Sequence, residues 1–86
     1  MKIEYSKLFL RDVEGIKNPL LLEHLEKQIE KFKSAKRLSD AGQVTKLAPN
    51  AFRVHVRDHR IGFFLKGDTI TLHRFLDRKD MYRYFP

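Results

Sequence analysis

Cysteine is absent from all 86 residues. Its absence excludes disulfides, thiolate metal sites and a cysteine nucleophile. So small a fold without disulfides is expected in a reducing cytosol. Long apolar runs are also missing, and none approaches the ~20 residues that a membrane span needs. The opening Met1-Lys2-Ile3-Glu4-Tyr5 has no apolar h-region, so no signal peptide is expected. There is no glycine-rich phosphate loop and no nucleophilic serine motif. The histidines lack zinc spacing and the acids do not cluster. Any chemistry is therefore expected to run on side chains alone, with no metal and no other cofactor. Repeats, low-complexity tracts and linkers are missing as well, which leaves one domain over residues 1–86. A chain of this length buries only about 60–65% of its unfolded surface, so its core is thin.

Acid is in short supply. Eighteen Lys and Arg stand against 11 Asp and Glu, a net charge of +7. A basic domain of this size is drawn to polyanions, either nucleic acid or an acidic protein. Hydrophobic residues make up 42% of the chain, enough to argue against disorder.

Periodicity divides the chain into helices first and strands after. Lys2–Tyr5 alternates like a short strand. Ser6 is a cap for a short helix through about Val13, with Gly15 as its stop. Asn18-Pro19 opens a second helix by a capping side chain followed by proline in the first turn. There Leu22, Leu25, Ile29 and Phe32 recur in steps of three and four, predicting an amphipathic helix to about Lys36. Past Gly42 the period becomes two. Val44–Leu47 reads as a short strand and Ala48-Pro49-Asn50 as a turn. Phe52, Val54 and Val56 then alternate with Arg53, His55 and Arg57, apolar to the core and basic to the outside. Asp58-His59 reads as the next turn. Ile61, Phe63 and Leu65 fill the core side of the following strand, with Arg60 on its outer side. Gly67-Asp68 turns into a last strand, Thr69–Leu76. Residues 78–86 form a charged aromatic tail with one helical turn. The expected fold class is α+β: an N-terminal strand and two helices packed on one face of a mostly antiparallel sheet, its other face open.

That open face carries the chemistry. Residues 51–86 hold eight Lys and Arg against four Asp, and six of the eight are arginine. Arginine offers a planar fork of donors that matches phosphate oxygens. Arg53, His55 and Arg57 sit on one strand face, ~6.5–7 Å apart, and Arg60 begins the neighbouring strand on the same side. Any one of these residues reads as ordinary solvated surface. Four together, with no acid on that strand face and Asp58 in the turn, repel unless an anion joins them. His73 alternates with Ile70 and Leu72, which puts it either near the arginines or partly buried on a backbone partner. Tyr82 follows Arg78 by one helical turn and reads equally as a site residue or as a core plug, whereas Tyr84 reads more as a core plug. Such a set suffices for metal-free RNA cleavage. That reaction needs a base for the 2′-OH proton, cations for the phosphate and a donor to the leaving oxygen.

Three segments in order carry a resemblance: Lys46-Leu47, then Phe52-Arg53-x-His55-x-Arg57-Asp58-His59-Arg60-Ile61, then Arg78-Lys79-Asp80-Met81-Tyr82. Together they resemble the RelE/ParE superfamily of bacterial toxins from type II toxin-antitoxin systems, over nearly the whole chain. The resemblance implies a protein antitoxin as partner and, for RelE-like members, mRNA cleavage in the ribosomal A site. Cleavage there is by 2′-OH attack and leaves a 2′,3′-cyclic phosphate. Carried over by position, Arg60 matches the arginine that contacts the scissile phosphate, and Arg78 and Tyr82 match the two ends of the C-terminal motif. Arg53 and His55 fall where members often have basic residues. On the nuclease reading Arg60 and Arg78 hold the phosphate, and His55 or Tyr82 acts as base. Arg53, Arg57, Lys46, Lys79 and His73 bind and position RNA. Two features depart from the pattern. Asp77 stands where many members have histidine, and Arg57–Arg60 is a tight turn; the base therefore stays open between His55 and Tyr82. Two alternatives accompany this reading. One is a ParE-like, non-enzymatic inhibitor of DNA gyrase. The other is a catalytically inactive module that only binds an antitoxin.

Overall fold

The computed structural model describes all residues from Met1 to Pro86. Five strands and three helices follow one another as β1 (Lys2–Tyr5), α1 (Lys7–Glu14), α2 (Pro19–Ser34), a 3-10 turn (Leu38–Ala41), β2 (Val44–Ala48), β3 (Ala51–Val56), β4 (His59–Lys66), β5 (Thr69–Asp77) and α3 (Arg78–Tyr84). The strands form one sheet in the order β1-β5-β4-β3-β2. β1 runs parallel to β5, and the other pairs are antiparallel. The fold class is α+β, as the periodicities predict. No helix is long and apolar enough to cross a membrane.

The caps act as the side chains dictate. Ser6 Oγ accepts from the Phe9 amide at 3.0 Å. Asn18 Oδ1 accepts from the Leu20 and Leu21 amides at 3.0 and 3.3 Å. These oxygens satisfy amides that the first turn of a helix leaves without partners. The buried stripe of α2 is Leu21, Leu25, Gln28 and Phe32, with Leu22 and Ile29 as flanks. The stripe is thus turned by part of a step from the one that the apolar residues alone indicate. Gln28 occupies the stripe because its amide donates to the Ala41 carbonyl at 2.6 Å, pinning the 3-10 turn to the helix. Phe9, Phe32, Val54, Ile61, Phe63, Ile70, Leu72 and Phe75 complete the core between helices and sheet.

The other face of the sheet is not fully open. Ala51, Met81 and Phe85 form a second buried cluster there, flanked by Ala48, Phe64 and Leu76. The C-terminal tail is a seven-residue helix, α3, rather than a single turn. Asp77 caps it, its Oδ1 accepting from the Asp80 amide at 2.9 Å. Gly62 lets the tail settle: a Cβ at that position would lie 2.6–2.8 Å from carbons of the Phe85 ring.

The β3–β4 turn lies one residue earlier than the sequence reading places it. Val56 pairs with His59, so Arg57 and Asp58 make the turn. A two-residue hairpin of the primed type needs a positive φ at its first central position. Gly67 supplies it at 61° in the β4–β5 turn, and Arg57 supplies it at 57° here. For a side chain with a Cβ that conformation costs about 1–2 kcal/mol. Arg57→Gly is expected to stabilise the chain by about 0.5–1 kcal/mol, part of the gain being lost to a freer unfolded state. Thermal unfolding measures it: Tm is expected to rise by several degrees.

Candidate functional site

β3 and β4 build the floor of the site through their register. His55 lies opposite Arg60, and Arg53 opposite Gly62. Directly opposed residues share a sheet face. Arg53, His55 and Arg60 therefore face the side away from α1 and α2. α3 closes one edge of this floor, with Arg78 at its first position and Tyr82 one turn on.

Arg60 is 9% exposed, unusually buried for an arginine. Its Nη1 donates to the carbonyls of His59 at 3.0 Å and Arg57 at 3.4 Å. Those bonds fix the guanidinium at the root of the hairpin and leave its other donors free. Arg53 reaches over Tyr82, its Cζ 5.1 Å from the ring centroid. Its Nε is buried and has no hydrogen-bond partner. No ion pair of the chain involves Arg53, Arg57, Arg60 or Arg78. The cations of this face are thus uncompensated by any carboxylate.

The two groups that can move a proton respond to this charge. Burial and then the guanidinium groups of Arg60, Arg53 and Arg78 push the His55 pKa below its ordinary value of 6.5. The imidazole is accordingly neutral at neutral pH. Arg53, as a donor to the phenolate, and then Arg78 pull the Tyr82 pKa below its ordinary value of 10.0. Tyr82 is 63% exposed, so its oxygen is open to a ligand. The core-plug reading of Tyr82 does not hold; Met81 and Phe85 are the plugs.

Four further residues singled out in the sequence are not in this cluster. Arg57 sits in the β3–β4 turn, beside Asp58 and Asn18, rather than on the strand face. Lys46 is paired with Phe52, whose ring stacks on Phe63 in the main core, so Lys46 belongs to the helix side of the sheet. The strand period that turns Arg53 to one face turns Lys46, still exposed, to the other. Lys79 lines a shallow surface cleft with Asp80 and Arg83, one helical position round from Arg78. His73 shares the face of the arginines, but its ring packs on Phe64 and Phe85 at centroid distances of 5.2 and 5.9 Å. It supports α3 from below. No group of three or more His, Asp or Glu gathers to hold a metal ion.

Residues with no place in the sequence reading complete the site. Gly62 and Phe85 seat α3, and Asp12 and Arg74 hold its far end. Arg74 donates from Nε and Nη2 to the two Asp12 oxygens at 2.8 and 3.0 Å. Asp12 also accepts from the Phe75 amide at 2.9 Å, which ties α1 to β5. A glycine inside an otherwise apolar strand was the available signal for Gly62, since it marks a close approach. Asp12 and Arg74 are 62 residues apart and left no local signal.

No family model matches the sequence. A full-length relative does: the toxin RelE3 of Methanocaldococcus jannaschii is 32% identical, with 100% of both chains covered. Among solved structures, the RelB-RelE antitoxin-toxin complex from Methanococcus jannaschii is similar at a TM-score of 0.79 and 28% identity, covering 96% of this chain and 99% of the other. YafQ from E. coli has a TM-score of 0.67 at 19% identity, covering 94% and 97%, a likeness of fold.

Proposed function

This chain belongs to the RelE family of toxins, and from that premise we propose that it is a ribosome-dependent endoribonuclease that cuts mRNA without a metal ion. The observation that carries the reading is the unpaired set of Arg53, Arg60 and Arg78 around His55 and Tyr82 on one face. RNA brings its own nucleophile, so the protein needs only to hold a phosphate and move protons. Arg60 and Arg78 grip the scissile phosphate and neutralise the charge that develops on its oxygens. Tyr82 takes the proton from the 2′-OH. The 2′ oxygen attacks the adjacent phosphorus, the bond to the 5′ oxygen breaks, and a 2′,3′-cyclic phosphate and a 5′-OH result. The neutral His55 imidazole donates a hydrogen bond to the departing 5′ oxygen, which takes its proton from water. Arg53 orients Tyr82 and draws in the RNA backbone.

The choice of Tyr82 over His55 as base rests on the direction of the two shifts. Arg53 and Arg78 favour the phenolate that Tyr82 needs as a base, whereas burial and the arginines disfavour the imidazolium that His55 would become. The single-turnover rate on programmed ribosomes is therefore expected to climb as pH rises past about 7 and to level off below the ordinary tyrosine value of 10.0. Tyr82→Phe is expected to lose both the rate and this slope. A rate already level above the ordinary histidine value of 6.5, and retained in Tyr82→Phe, makes His55 the base instead.

A protein antitoxin is the partner that this reading requires. The net charge of +7 favours an acidic one. A solved relative is itself an antitoxin-toxin complex. The same reading implies action in the cytoplasm, on ribosomes engaged with mRNA.

A further inference from the structure

α3 and the residue that follows it lay three aromatic rings along a single row of the sheet. Register puts Arg53, Gly62 and Arg74 side by side across β3, β4 and β5. Tyr82 covers Arg53, Phe85 covers Gly62, and Tyr84 covers Arg74. The middle ring is buried, whereas Tyr82 and Tyr84 are 63% and 55% exposed. The row thus has an open tyrosine at each end and a plug between.

The two ends differ in electrostatics. Arg53 has no carboxylate partner, so its charge is available to a phosphate. Arg74 is bound at two points by Asp12, and both side chains are largely buried, at 18% and 12% exposure. Its charge is spent inside the protein. What remains is a planar guanidinium held rigidly under Tyr84, with Cζ 5.9 Å from the ring centroid. A large exposed ring braced in this way is suited to stacking and contributes nothing to phosphate binding.

We propose that Tyr84, braced by the Asp12-locked Arg74, is a stacking shelf that holds the base of a nucleotide flanking the scissile phosphate. The inference rests on the endoribonuclease reading and adds a substrate-holding residue to it. Two strand spacings, ~10 Å, separate this shelf from Arg53 and Tyr82, where the scissile phosphate is held. Stacked neighbours in one strand are only about 3.4 Å apart. A base on Tyr84 is therefore splayed away from the nucleotide at the scissile phosphate, as single-stranded RNA is when aromatic side chains receive its bases. Splaying turns the ribose between them out of helical geometry, which in-line attack by the 2′-OH requires.

The test is single-turnover cleavage of a defined mRNA on programmed ribosomes, with mRNAs that carry an abasic nucleotide at successive positions around the cut. Tyr84→Ala is expected to slow cleavage of the intact mRNA about tenfold, and Tyr84→Phe to restore it. One abasic position is expected to slow the wild-type chain by a similar factor and to slow Tyr84→Ala no further. Thermal unfolding of Tyr84→Ala should match the wild type, since the ring is exposed. Wild-type cleavage with an unimpaired Tyr84→Ala overturns the shelf, as does a Tyr84→Ala loss that adds to the abasic loss at every position. A wild-type chain that does not cut at all sinks the endoribonuclease reading itself.

Discussion

Arg60→Ala is expected to lower the single-turnover rate of mRNA cleavage by ~10²-fold or more. Arg60 is the one buried guanidinium of the site, and the carbonyls of Arg57 and His59 aim it from below. A donor set in advance at the developing charge needs no reorganisation during the reaction, hence the size of the loss. Stability is expected to fall by about 1–2 kcal/mol, because the same substitution removes two charged hydrogen bonds at a wet turn. Arg60→Lys separates the two effects. It keeps the positive charge and loses the planar fork, so it should fold like the wild type yet cleave at least about tenfold more slowly. Full activity in Arg60→Ala contradicts the assignment of Arg60 to the phosphate.

Gly62→Val acts on the same site from a distance. The Phe85 ring occupies the space that a side chain at residue 62 needs, with the nearest ring carbon 2.6 Å from the Cβ position. The ring must leave, and the seat of Met81 and Phe85 on Ala51 goes with it. Tyr82 then loses its placement against Arg53, and Arg78 its place near His55. A displacement of about 1 Å is enough to cost ~10²-fold in rate, and the same loss is expected here. The main core lies on the opposite face of the sheet, so most of the folded stability should persist. Phe85→Ala should lose activity to a similar degree, and the double variant Gly62→Val with Phe85→Ala little more than either alone. Additive losses contradict the view that the two residues act through one contact.

The parts of the molecule that were legible in the sequence are those governed by local rules. Alternation in Phe52–Val56 assigned faces to Arg53 and His55, and the register with β4 keeps them there. Ser6 and Asn18 announced their helices because a cap is a bond between near neighbours. The errors fall where a distant partner decides. Gln28 enters the core stripe only because Ala41 waits for its amide, so an apolar count draws the stripe through Leu22 and Ile29 instead. Arg57 takes a left-handed conformation that glycine usually supplies, which hides the turn by one residue. Lys46 entered through the resemblance alone, and the strand pairing sets it on the face opposite the arginines. α3 was underestimated because its anchors, Ala51 and Gly62, are small residues without a periodic signal.

The arginine-rich face has one direct chemical consequence. The decisive measurement adds the purified chain to ribosomes stalled on a defined mRNA and identifies the ends produced. Cuts phased to the codon in the A site, each leaving a 2′,3′-cyclic phosphate and a 5′-OH, are the expected result, and they should vanish with Arg60→Ala. Intact mRNA, with supercoiling by DNA gyrase blocked in a parallel assay, contradicts RNA as the target.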